Sequence, residues 1–201
     1  MSKASLAPPP PAIEARRSVP RFDNFIIALH WLTLALIVAQ FAAGWAHVSL
    51  AARSPEAAAS PEAQLAIALH RSIGAAIWIA TLARVAWRRW FAVLPPFPAP
   101  MSIAHRRFTT ANELGLYVLL LLQPLTGLAQ SLLRGRPISI FFVSVPALGP
   151  ANADLAIWFH QLHRVGAYAL LALVGAHACA ALFRVFVLKD QALRRMSPGR
   201  S

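Results

Sequence analysis

Imidazole is the side chain with the most chemistry to offer in this sequence. Of the seven histidines, His30, His47, His70, His160, His163 and His177 lie in or at the ends of long apolar runs, while His105 falls between runs and reads as a solvated loop residue. A polar ring surrounded by apolar groups is costly unless it has a partner, so such residues are functional suspects by default. For any one ring an interhelical hydrogen bond is the plain alternative. His163 and His177 are 14 residues apart. At 1.5 Å per residue this is roughly 21 Å along a helix and close to four full turns, so both rings share one face. His160 and His177 are 17 apart, which turns their rings roughly 100° from one another. His163 is therefore the better partner for His177, with His160 the runner-up or a polar neighbour.

The elements that must hold these rings are four apolar windows, about 24–47, 64–87, 112–133 and 155–187. Each is long enough for the roughly 30 Å hydrocarbon core of a bilayer, and each must be a helix, because an open strand leaves its backbone unsatisfied in lipid. The expected fold is an all-α membrane bundle running up-down-up-down over residues 21–190. A disordered proline-rich arm over 1–20 precedes it, and a basic tail over 191–201 follows. The arm does not read as a cleaved signal, because the apolar run after it is too long. Ser54 to Glu62, the proline-rich 95–100 and Gly135 to Pro150 read as loops. The patch Ile140-Phe141-Phe142-Val143 is expected in the membrane interface.

Composition points the same way. The 201 residues are 58% hydrophobic and 13% charged, about half the charged share of a soluble domain. The net charge of +12 does not indicate nucleic acid, since the basic residues flank the apolar runs. With four spans, both termini share a side with the connection between spans two and three. That side carries 14 of the 19 Lys and Arg and the other carries 5, namely Arg53, Arg71, Arg134, Arg136 and Arg164. The positive-inside rule then puts both termini on the cytoplasmic side of the membrane. The one cysteine, Cys179, can form no internal disulfide and reads as a small packing residue.

Chain direction sorts the rings by depth. His30, early in an outward span, and His177, late in an inward one, fall on the cytoplasmic side. His70 and His163, early in inward spans, fall on the outer side. His47, at the outer end of span one, is an alternative to His70. Two histidines facing across a bundle suit an iron porphyrin. Zinc wants four ligands, and the acids nearest the spans, Asp23, Glu113 and Asp154, lie at their ends. Two axial histidines leave iron no open position, which suits electron transfer. Gly44, Gly74, Gly127, Gly166 and Gly175 leave room for a flat macrocycle or for close helix packing. Arg71 and Arg164, each beside an outer histidine, can pair with propionates or snorkel to headgroups.

The chain resembles the prokaryotic cytochrome b561 family over about 21–198. The matching pieces are Arg21 with Leu29-His30-Trp31-Leu32, then Leu69-His70-Arg71-Ser72-Ile73-Gly74. Arg84 and Trp87-Arg88 lead into Leu94-Pro95-Pro96-Phe97-Pro98. Span three offers Tyr117 and Pro124-Leu125-Thr126-Gly127. Last come His163, His177 with Ala180-Ala181-Leu182, Lys189-Asp190 and Leu193-Arg194-Arg195-Met196. The resemblance implies two b-type haems (iron protoporphyrin IX), one on His30 and His177 and one on His70 and His163. Beside these ligands, Gly74 and Gly127, as room for the macrocycle, and Arg71 and Arg164, as propionate partners, are the expected cofactor-binding residues. Where relatives commonly have a histidine one turn before the span-three tyrosine, this chain has Glu113. That residue reads as a helix-start acid favoured by the macrodipole, or as a proton-accepting carboxylate near the inner haem.

The function this implies is transmembrane electron transfer, exchanging electrons with the quinone pool of a respiratory chain. Superoxide is an implied donor at the outer face, where a basic rim would attract an anion. Such a protein would be a superoxide:quinone oxidoreductase. The alternative is a cytochrome b anchor passing electrons between a peripheral dehydrogenase or hydrogenase and quinone. Expected partners are lipid, quinone, superoxide or a redox protein, and a second copy in a homodimer.

Overall fold

In the computed structural model, residues 21–97, 101–141, 143–190 and 193–197 are described. The N-terminal arm, 98–100, Phe142 of the apolar patch and most of the basic tail lie outside them. The elements are α1 (Asn24–Ala51), α2 (Pro55–Ala59), α3 (Pro61–Trp90), α4 (Ile103–Leu132), β1 (Ile138–Ile140), β2 (Val143–Val145), α5 (Ala153–Phe186) and a 3-10 turn, Leu193–Met196. The four long helices are each long and apolar enough to cross a membrane.

Caps explain where the helices begin. Asp23, Ser54, Ser60, Ser102 and Asn152 each accept a hydrogen bond from a first-turn amide of α1 to α5 in turn. The repeated Ser-Pro-Glu before span two is not a plain loop. Each copy is a cap followed by proline at the first helical position, and the first copy starts the short α2. The Ser102 cap starts α4 nine residues before the expected window, which puts His105 in its first turn rather than in a loop. Glu113 is therefore well inside α4, and the helix-start reading fails.

Residues 135–150 also hold more structure than a loop. Gly135 turns the chain with φ +64°, and a Cβ there would lie 2.8 Å from the Ala151 nitrogen, so only glycine fits. The antiparallel hairpin β1–β2 follows, pairing Ile138 with Val145 and Ile140 with Val143. Phe141 takes a positive φ of 53° at its tight turn. Its amide donates to Ser72 Oγ at 2.6 Å, and Ile138 is buried against α3. The hairpin thus lies against one end of the bundle, the hairpin end.

The opposite end, the termini end, carries the first and last of the described residues. There the Phe22 amide donates to the Arg195 carbonyl at 3.2 Å, Trp31 Nε1 to the Met196 carbonyl at 2.8 Å and Arg195 Nη2 to the Pro96 carbonyl at 2.5 Å. The 3-10 turn is thereby strapped across the start of α1 and the connection leaving α3.

The bundle is two helix pairs. α1 packs along α3 and α4 along α5, while α3 and α4 touch over a shorter stretch. One small apolar layer joins all four: Ile37, Ile77, Leu120 and Leu170. Most other large apolar side chains point outward, as lipid-facing helices require. Cys179 is also exposed and does not pack inside the bundle.

Candidate functional site

Two pairs of imidazoles face each other between the helix pairs. At the termini end His30 of α1 meets His177 of α5, with ring centres 6.1 Å apart. At the hairpin end His70 of α3 meets His163 of α5, again at 6.1 Å. The apolar layer lies between the two levels. Leu170 is seven residues from both His163 and His177, Ile37 seven from His30 and Ile77 seven from His70. Seven residues is about two turns, so each of these side chains stands on its histidine's face and separates the levels.

The separation matches what a shared axial metal needs. An imidazole nitrogen sits about 2 Å from the metal it binds, with the ring centre about 1 Å further out. Two rings on opposite faces of one iron therefore stand about 6 Å apart. No group of three or more His, Cys, Asp or Glu among the described residues is arranged to hold a metal ion by itself. The donor set suits a porphyrin iron, whose other four ligands come from the macrocycle.

The hairpin-end rings are held by backbone carbonyls. His70 Nδ1 lies 3.1 Å from the Gln40 carbonyl oxygen, and His163 Nδ1 lies 3.0 Å from that of Gln123 and 3.0 Å from Thr126 Oγ1. A carbonyl only accepts, so both Nδ1 atoms carry the proton and Nε2 is the nitrogen with the lone pair; that of His70 faces the Gln40 side-chain amide nitrogen at 3.2 Å. Glycines make this approach possible. A Cβ on Gly44 would lie 2.9 Å from His70 Nδ1, and one on Gly127 would lie 2.9 Å from His163 Cε1. The room at Gly74 and Gly166 is taken by the side chains of Gln40 and Gln123. Gly175 meets nothing within 4 Å.

The remaining polar candidates divide by position. His160 is exposed, with Nδ1 2.9 Å from Gln130 Oε1, and His47 Nδ1 lies 3.1 Å from the Ala63 carbonyl. Neither joins a ring pair. Arg71 is half-buried, and its Nε has no hydrogen-bond partner among the described residues, whereas Arg164 is exposed. At the termini end Glu113 forms an ion pair with Arg88. The guanidinium carbons of Arg84 and Arg88 stand 5.5 and 5.7 Å from the Tyr117 ring centre. Tyr117 Oη and Arg84 Nε are buried with no hydrogen-bond partner among the described residues.

A family model described as prokaryotic cytochrome b561 matches residues 21–199. The chain belongs to the prokaryotic cytochrome b561 family. Its relatives include cytochrome b561 homolog 2 of Escherichia coli (strain K12), 33% identical over 88% of this chain and 90% of the relative. A Yersinia pestis protein named probable superoxide oxidase CybB is 30% identical over 89% of this chain and 96% of its own. Cytochrome b561 homolog 1 of Escherichia coli is 28% identical over 90% and 98%. As a cytochrome b561 the chain is a multi-pass bacterial membrane protein that carries b-type haem and transfers electrons across the membrane.

Sequence reading missed Gln40, Gln123 and Thr126 as neighbours of this cytochrome's histidines. The available signal was a Gln-x-x-x-Gly spacing written twice inside apolar runs, at Gln40 to Gly44 and Gln123 to Gly127.

Proposed function

We propose that this cytochrome b561 holds two bis-histidine haems b, on His30 with His177 and on His70 with His163, and carries electrons from superoxide at the outer face to quinone. The observation that carries this reading is the equal 6.1 Å spacing of two imidazole pairs at opposite ends of one bundle. Bound haem supplies a one-electron ferric/ferrous couple with no open iron position. The chain's residues do the rest. The four histidines would hold the haems through their imidazole nitrogens. The carbonyls of Gln40 and Gln123 fix ring orientation and tautomer. The layer of Ile37, Ile77, Leu120 and Leu170 excludes water between the levels. Arg71, with its unpaired buried Nε, is placed to receive a propionate carboxylate.

The termini end faces the cytoplasm on the 14-to-5 distribution of Lys and Arg, in the inner membrane. The hairpin end then faces outward, and its exposed Arg134, Arg136 and Arg164 draw in a small anion. The relative named as a probable superoxide oxidase supports superoxide as that anion. The stoichiometry balances when two superoxide ions each give up one electron and leave as dioxygen, while one quinone takes both electrons and two protons to become quinol.

The test is a reduced-minus-oxidised absorption spectrum of the purified protein, with haem counted per chain. Two haems are expected, reduced by added superoxide and reoxidised by added quinone. One haem or none removes the two-pair reading. Haem that superoxide leaves oxidised removes that donor.

A further inference from the structure

The two histidine pairs match in spacing but not in what holds them. At the hairpin end both rings point Nδ1 at a main-chain carbonyl, at 3.1 and 3.0 Å. Each carbonyl belongs to a glutamine one turn before a glycine, and each ring rests on that glycine. The same small device is thus built once on α1 and once on α4. Among the described residues, neither His30 nor His177 has a hydrogen-bond partner for either ring nitrogen. The termini-end rings have different company. Arg84 lies within electrostatic reach of both, and the edge of Trp31 lies against His30 at 5.3 Å. Glu113 also acts on His177, but Arg88 pairs with it and offsets its charge.

These surroundings act on a bound iron in opposite directions. An Nδ1–H donated to a carbonyl makes the imidazole a stronger electron donor, which favours ferric iron and lowers the potential. A fixed cation close by favours the less positive ferrous state and raises it. The hairpin end has cations too: Arg134 and Arg164 are exposed and screened by water and salt, and half-buried Arg71, which acts on His70, is assigned above to a propionate carboxylate that offsets its charge. The hydrogen bonds there act on the coordinating rings themselves.

Resting on the bis-histidine assignment above, we propose that the Gln-x-x-x-Gly segments Gln40–Gly44 and Gln123–Gly127 are positioning elements that make the His70/His163 site the lower-potential of the two. Electrons entering at the hairpin end then run downhill to the His30/His177 site. The asymmetry gives the wire a preferred direction without any moving part. Gly44 and Gly127 admit the rings, and the carbonyls of Gln40 and Gln123 tune them.

The test is redox potentiometry of the intact, haem-loaded protein. His177→Ala leaves the hairpin-end site alone, and His163→Ala leaves the termini-end site alone, each free of the charge of the other haem. The site remaining in His177→Ala is expected to have the lower midpoint. Gly44→Ala puts a methyl group against His70 Nδ1 and loosens its hydrogen bond. It should raise the lower wild-type midpoint and leave the upper one in place. An inverted or equal order in the two single-site variants overturns the proposal, as does a Gly44→Ala shift confined to the upper midpoint. Should Gly44→Ala fail to fold, the order of the single-site midpoints decides alone. Failure of the assignment beneath it looks different. Either histidine variant would then keep two haems, and the proposal would fall with the assignment.

Discussion

His163 and His160 are one turn apart on α5, yet their surroundings separate their roles. His163 faces His70 across the bundle, its Nδ1 held by Gln123 and Thr126, whereas His160 sits at the exposed rim against Gln130. Replacing His163 with Ala should therefore remove one haem per chain and leave the other. Replacing His160 with Ala should leave both. Pyridine haemochrome quantification of the two purified variants makes the comparison, and loss of a haem from His160→Ala would reverse the assignment. At this scale the ring pairs were legible because a 14-residue spacing is close to a whole number of helical turns. The Arg88–Glu113 pair was not, because its partners are 25 positions apart on different helices. Gln40 and Gln123 were not legible either. A lone glutamine in an apolar run carries no sign that its carbonyl will meet a neighbouring ring, and only the repeated Gln-x-x-x-Gly spacing pointed that way.

The helices were legible as elements but their ends were not. Hydropathy reports the stretch that fits in lipid, whereas caps decide where a helix starts. Ser102 and Ser60 lie outside the apolar windows they initiate, so α3 and α4 are longer than the spans they contain. The hairpin was hidden for a related reason: strands of three residues are too short to establish an alternating pattern. The glycines show what the pattern alone conflates. Gly44, Gly74, Gly127, Gly166 and Gly175 all read as room for a cofactor, yet only Gly44 and Gly127 abut histidine rings, and Gly175 abuts nothing. Gly127→Ala should therefore displace the His163 ring, at an overpacking cost of about 1–3 kcal/mol. The expected readouts are reduced haem occupancy and a lower melting temperature. Gly175→Ala should keep full occupancy, and its extra methyl should slightly favour the helix. Equal haem loss in both variants would mean that neither α4 nor α5 tolerates an added side chain, and that the specific contact at Gly127 is not what matters.

For the whole molecule, the direction of the wire depends on which end of the bundle faces which compartment. Hydrogen bonds fix only the relative arrangement. The strap from Arg195 and Met196 to Phe22, Trp31 and Pro96 puts the start of α1, the 3-10 turn and the segment leaving α3 at one end, and the hairpin lies at the other. The absolute sense comes from charge, because Lys and Arg in short connections resist translocation. The 14-to-5 ratio therefore predicts a cytoplasmic termini end. In cells with a permeabilised outer membrane, an N-terminal tag should resist added protease until the inner membrane is breached. In a Cys179→Ser background, Ser144→Cys on the outer strand of the hairpin should react with a membrane-impermeant maleimide from outside. The two readouts check each other, since they probe opposite ends of one rigidly connected bundle. A tag cut from outside together with an unlabelled Ser144→Cys would invert the protein. An inverted protein would put the exposed arginines of the hairpin end in the cytoplasm, out of reach of superoxide formed outside, and the donor proposed here would fail with the topology.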